Sequence, residues 1–230
     1  MGDTVLLIFA WLSLLIAFLC ALWIAADEAR HPQAMGVMNV VWPVSALYFS
    51  VFAVWAYYRL GRPKTKEAMR HMKHAHHGGE GLLTAAQVAV GTSHCGAGCA
   101  LADIACEFAI AAAGLTLFGS SLWASFAIDL AAAWALGIVF QYFAIKPMRK
   151  VTPGQAIVAA IKADTLSILA FQVGMYAFMA LTYFVFFPHQ HLEPFDARYW
   201  LLMQAAMICG FATSFPMNAW LLRIGLKERM

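Results

Sequence analysis

Charge is what this chain has least of. Asp, Glu, Lys and Arg make up only 12% of its 230 residues, whereas 63% are hydrophobic. Soluble domains carry roughly twice that charge fraction, and a mean hydropathy of +0.71 is more than one water-soluble core can hide. Cysteine is also scarce: there are five, an odd number lying mostly in apolar segments, which excludes a disulfide framework. No phosphate-binding Gly loop, nucleophile elbow or His-Glu-x-x-His occurs, so transport or metal binding is expected rather than enzymatic turnover. Without an ATPase motif, transport would be passive, ion-coupled or driven by a partner. No basic surface is interleaved with aromatics, which excludes nucleic acid as a partner.

Long apolar runs are what the chain has in abundance. Six reach the roughly 20 residues that a crossing needs: 4–26, 35–60, 95–118, 121–145, 164–187 and 199–222. Gly2-Asp3 lacks the positive lead of a cleavable signal, so the first run is read as a span. The sequence therefore predicts an all-α membrane protein, one polytopic domain over residues 1–230, with a His-rich loop at 61–80. The stretches 81–118 and 154–187 exceed a single crossing of a core about 30 Å thick. Each is expected to open with a short re-entrant or interfacial helix, 82–91 before span three and 154–163 before span five. Both stretches follow a basic loop and carry an Asp near the span start, Asp103 and Asp164, which suggests two three-span halves.

Basic residues orient the chain. Arg59, Arg62, Lys64, Lys66, Arg70 and Lys73 follow the second run; Lys146, Arg149 and Lys150 follow the fourth; Arg223, Lys227 and Arg229 follow the sixth. The positive-inside rule then makes both termini cytoplasmic in a cell inner (plasma) membrane. Asp27, Glu28, His31, His189, His191, Glu193 and Asp196 are expected together on the outer face, either as a polar rim or as groups that capture an entering cation, with Trp42, Trp55 and Trp200 as interface anchors.

The most informative motif is His94-Cys95-Gly96-Ala97-Gly98-Cys99, with Asp103, Cys106 and Glu107 beyond it. Helical steps of four, four and three residues bring Cys95, Cys99, Asp103 and Cys106 to one face. Polar groups inside a membrane are expensive unless used, and soft thiolates select Cu(I), zinc or iron–sulfur clusters. His94, Cys95 and Cys99 are the expected metal ligands, with Asp103 and Cys106 as further ligand groups of the same stripe. Met175 and Met179 in the fifth run face Met203 and Met207 in the sixth, with Met179 and Met203 at an outer depth and Met175 and Met207 in the middle; thioethers suit Cu(I) but are also ordinary core fillers. His71, His74, His76 and His77 form a tract that either handles metal or sits as a solvated basic loop at anionic headgroups. Glu107 and Asp129 are expected to compensate charge along an ion pathway. Lys162 with Asp164 reads either as part of that pathway or as an interfacial pair.

The runs Gly91-Thr92-Ser93-His94-Cys95-Gly96-Ala97-Gly98-Cys99 with Asp103-Ile104, Lys162-Ala163-Asp164-Thr165-Leu166-Ser167 and Phe215-Pro216-Met217-Asn218-Ala219-Trp220-Leu221-Leu222 resemble a bacterial integral membrane family catalogued as domain of unknown function 4396. The resemblance covers about residue 68 to the C-terminus. It implies a membrane protein with copper-handling neighbours; the family has no settled activity for the resemblance to carry over.

The expectation is a membrane protein that binds and translocates a soft metal ion, best matched by Cu(I), with zinc or another thiophilic metal as alternatives. Its partners would be lipid and the ion, with a homo-oligomer or larger membrane complex left open. Two other readings stand beside it: a membrane oxidoreductase working through thiols, haem or quinone, and a non-catalytic subunit of a larger complex.

Overall fold

The computed structural model describes residues 2–72, 83–148 and 152–227. Eight α-helices follow in order: α1 Gly2–Arg30, α2 Met38–Phe49, α3 Val51–Ala56, α4 Lys66–Met72, α5 Ala85–Ala113, α6 Ser121–Met148, α7 Pro153–Leu181 and α8 Ala197–Arg223. Five of them, α1, α5, α6, α7 and α8, are long and apolar enough to cross a membrane. The all-α membrane fold is as the sequence predicts; the route of the chain differs in three places.

The run 35–60 is a hairpin and does not cross. At Ser50 the backbone takes φ 49° and ψ −122°, which ends α2 and reverses the chain. Trp42 on α2 and Tyr57 beyond α3 then meet edge to face, with ring centroids 5.9 Å apart. Along one continuous helix those residues would be about 22 Å apart at 1.5 Å per residue. The two feet of the hairpin are tied together: Ala34 N–H donates to the Lys64 carbonyl (3.0 Å) and Lys66 N–H to the Pro32 carbonyl (2.9 Å). Asp27 at the end of α1 holds the same end through Arg62 (2.9 Å) and the Tyr57 hydroxyl (2.6 Å). The tip lies against α8, where Phe49 meets Phe211 at 4.9 Å. The Leu47 carbonyl at the broken end accepts from the Gln204 amide (2.7 Å), and Gln204 accepts from Ser13 of α1 (2.7 Å). Irregular backbone is tolerated at membrane depth where protein covers its polar groups.

This hairpin changes the topology. With five helices able to cross, the Asp3 end of α1 lies beside Arg198 at the start of α8 (3.5 Å), while Lys227 after α8 reaches Cys95 and Asp164 in the starting halves of α5 and α7. Asp3 and Lys227 are thus on opposite faces of the bundle, whereas the sequence predicts both on one. Arg30, His31, Asp27 and Glu28 accordingly join the basic loops, and the outer rim predicted as one group divides between the two faces.

The lead-in helices are the third difference. α5 and α7 each run unbroken for 29 residues, through Gly91-Thr92-Ser93-His94 in the first and through Gly154–Ala163 in the second. Each starts at a capping box of Thr-x-x-Gln type: Thr84 with Gln87 and Thr152 with Gln155 satisfy one another's free N–H groups. The glycines do not break α5 because they are packing sites. A Cβ on Gly98 would come within 3.5 Å of the Gly137 backbone of α6, so the two helices touch backbone to backbone. α5 stops at Gly114, which is left-handed at φ 61°.

The fold is therefore a core of α5 to α8, with α7 and α8 packed most extensively. α1 lies at its side, with Phe9, Trp11, Leu15, Phe18 and Trp23 exposed, as a lipid-facing helix requires. The predicted three-plus-three halves do not appear in it, since the first half has two crossings and a hairpin.

Candidate functional site

Four buried groups climb one side of α5. Cys95, Cys99 and Asp103 are completely buried, and Glu107 is 5% exposed. Steps of four residues rise about 6 Å and rotate about 40° each, so the ladder winds roughly 120° around the helix. Its fourth rung is Glu107, not the predicted Cys106, which is half-buried. At about 100° per residue Cys106 swings back to within about 20° of Cys95 and so shares the predicted face, whereas Glu107 continues the winding to about 120° and enters a cavity.

At the acidic end the ladder meets a cavity of about 400 Å³. Glu107, Ser125, Asp129, Tyr176 and Tyr199 line it with the thioethers of Met175, Met179 and Met203; Tyr183, His191 and Glu193 stand at its mouth. Ser125 Oγ donates to Glu107 Oε2 at 3.1 Å. The Tyr199 hydroxyl and the Asp129 carboxyl line the same cavity as Glu107. Two carboxyl groups sharing one buried cavity favour a proton or a cation between them. Asp103, one turn deeper, has no hydrogen-bond partner on either oxygen among the described residues. The cavity wall is fixed by Tyr176, which stacks on Phe126 at 4.1 Å and donates to the Phe126 carbonyl at 2.8 Å. Outside the span, the Arg198 guanidinium hydrogen-bonded to Asp196 holds that carboxyl below the usual carboxylate range.

At the basic end the ladder meets a second polar cluster. α5 and α7 begin from equivalent caps on the same face, so Cys95, 11 residues past Thr84, and Asp164, 12 past Thr152, share a depth. The Cys95 thiol donates to Asp164 Oδ1 at 3.1 Å and lies 3.1 Å from Ser167 Oγ. Lys227 completes the cluster. Gly225, at φ 73°, closes α8 with a Schellman turn in which the Leu226 N–H donates to the Leu221 carbonyl (3.1 Å). The turn sends the next residue back under the bundle. Lys227 Nζ donates to Asp164 Oδ1 and Cys95 Sγ, both at 2.7 Å, and to Asn218 Oδ1 at 2.8 Å.

Other predicted residues fall differently. His94 is fully buried but is turned away from Cys95 onto Phe140 of α6, at 5.8 Å between centroids. Adjacent residues on a helix point about 100° apart, so His94, Cys95 and Cys99 do not form one ligand set. Among the described residues no three His, Cys, Asp or Glu side chains are grouped as a metal ion would need. Lys162 is exposed, and Lys227 takes its place as the partner of Asp164. Met203 stands between the cavity and an apolar groove, and Met207 lines only the groove, beside Trp11, Tyr48 and Trp200. His71 belongs to α4; His74, His76 and His77 lie outside the described residues. His189 and His191 are exposed at the acidic end and His31 is half-buried at the other.

Sequence reading missed Tyr176, Tyr199, Ser125, Ser167, Ser214, Asn218 and Lys227 as site residues. Ser214 and Asn218, four apart within an apolar span, were the available signal: Asn218 Nδ2 donates to the Ser214 carbonyl and Oγ (3.0 and 2.9 Å). Lys227 gave none beyond its charge.

No curated protein and no solved structure matches the chain. One family model does, over residues 84–227, a stretch that runs from the cap of α5 to Lys227 and so contains both polar clusters and the ladder between them. By that match, the chain belongs to the family described as domain of unknown function (DUF4396).

Proposed function

We propose that this protein binds a soft monovalent cation, best matched by Cu(I), and carries it across a bacterial inner membrane between α5, α6, α7 and α8, with its basic end in the cytoplasm. One observation supports this above the others: carboxylates and thioethers share the cavity at the acidic end, and the ladder of α5 leads from it to a buried thiol at the other end. Glu107 and Asp129 would attract the cation and balance its charge. Met175, Met179 and Met203 would favour a soft ion over sodium or magnesium, because neutral sulfur ligands bind Cu(I) well and hard ions poorly.

Passage deeper would run by Asp103 to Cys99 and Cys95. A thiol that takes up Cu(I) loses its proton, so each step needs an acceptor. Asp103 stands next to Cys99 in the ladder, and Asp164 is 3.1 Å from the Cys95 sulfur. At Cys99 a proton handed by way of Asp103 to the cavity as the ion enters leaves the buried charge unchanged, and at Cys95 the proton only shifts to Asp164 within the site, which avoids the cost of an uncompensated ion in the membrane interior.

Binding of Cu(I) to the detergent-purified protein, measured anaerobically against a competing chelator, tests the reading. Glu107→Gln/Asp129→Asn and Met175→Leu/Met179→Leu are each expected to weaken binding by roughly tenfold or more, equivalent to about 1.4 kcal/mol. Affinity equal to that of the unsubstituted protein in both variants would contradict it.

A further inference from the structure

We propose that Cys95, Asp164 and Asn218 form an inner cation site in which the Lys227 ammonium is a tethered occupant, and that a monovalent soft cation must displace this ammonium to pass. The inference rests on the carrier reading above and adds its gate.

The geometry is that of a cation in a ligand cage. A completely buried ammonium has three acceptors, a carboxylate oxygen, a thiol sulfur and an amide oxygen, all within 2.8 Å. The cage is held by bonds that do not involve Lys227. Asn218 uses its amide N–H groups on Ser214, which turns its oxygen toward the site, and Ser214 Oγ donates to the Ser167 carbonyl at 2.9 Å. Asp164 Oδ2 is buried without a partner among the described residues and is a spare ligand atom. Without Lys227 the cage keeps one uncompensated negative charge, which a single monovalent cation neutralises. Cys95 is also the last rung of the α5 ladder, so an ion arriving from the cavity reaches this cage next.

The tether suits displacement. Lys227 lies beyond the last turn of α8, after Gly225, so its withdrawal needs rotation about two or three non-helical residues and leaves α8 wound. A cation entering as the ammonium leaves preserves the net charge, so neither state buries an unpaired Asp164, the arrangement that costs most.

The test uses the full chain in detergent with Ag(I) as the probe and Na⁺ as the hard-ion control. Lys227→Leu should bind Ag(I) roughly tenfold more tightly than the unsubstituted protein, and Ag(I), not Na⁺, should restore the thermal stability it loses. Lys227→Leu/Asp164→Asn should show neither effect. In the unsubstituted protein, Ag(I) should speed acylation of Lys227 by an amine-reactive reagent, read by peptide mass spectrometry; this measurement stands even if Lys227→Leu fails to fold. Tight Ag(I) binding without a change in Lys227 reactivity would overturn the gate and leave the carrier reading intact. No Ag(I) on any of these proteins would overturn both.

Discussion

Gln204 shows how much one buried amide can carry in an apolar bundle. It links three elements, accepting from Ser13 of α1 and donating to the Leu47 carbonyl where α2 ends. That carbonyl stands where α2 ends at Ser50, half-buried at the apolar groove between α1 and α8. Gln204→Leu should cost roughly 1–3 kcal/mol, the penalty of an unsatisfied buried acceptor, read as a lower midpoint of thermal unfolding in detergent. An unchanged midpoint would mean that the carbonyl is satisfied in another way. Burial separates the rungs of the ladder: Cys95, Cys99 and Asp103 were legible from four-residue spacing, and Glu107 joins them as a buried group where Cys106 is only half-buried. Lys227 was not legible, since its partners Cys95 and Asp164 are 132 and 63 residues away.

At the scale of elements, α2 and α3 are the instructive case. Their sequence is apolar enough for a span, and hydropathy counts composition without direction. The breakers Asn39, Pro43, Ser45 and Ser50 were visible in the run, but the pairing of Pro32 and Ala34 with Lys64 and Lys66 that closes the hairpin is a long-range contact. α5 is the opposite case: Gly91, Gly96 and Gly98 read as a break, whereas they allow close packing. A Cβ on Gly96 would lie 2.7 Å from the Tyr48 hydroxyl of the hairpin, so the glycine admits Tyr48 to the centre of the bundle. The hairpin makes a direct prediction. Cysteines placed at Gly36→Cys and Lys66→Cys should react with a membrane-impermeant maleimide from the same side, opposite to His189→Cys. Labelling of Gly36→Cys and Lys66→Cys from opposite sides would restore six crossings and refute the hairpin.

For the whole molecule, an odd number of crossings gathers nearly all of the described basic side chains on one face, including Arg30, which a six-span reading had stranded on the other. The membrane class was legible from composition alone, and the polar interior from its thiols and acids. What no local pattern carried was their arrangement: an open cavity with Glu107, Asp129 and three thioethers at one end, a closed cage under Lys227 at the other, and four-residue steps along α5 between them. The account is one of a continuous soft-cation route. The most direct measurement of it is Cu(I) entry into proteoliposomes containing the purified protein, followed by a lumenal Cu(I) indicator under reducing conditions. The account predicts entry well above that of empty liposomes, lost in Glu107→Gln/Asp129→Asn and in Cys99→Ser. Entry no faster than into empty liposomes, or undiminished in both variants, would contradict it.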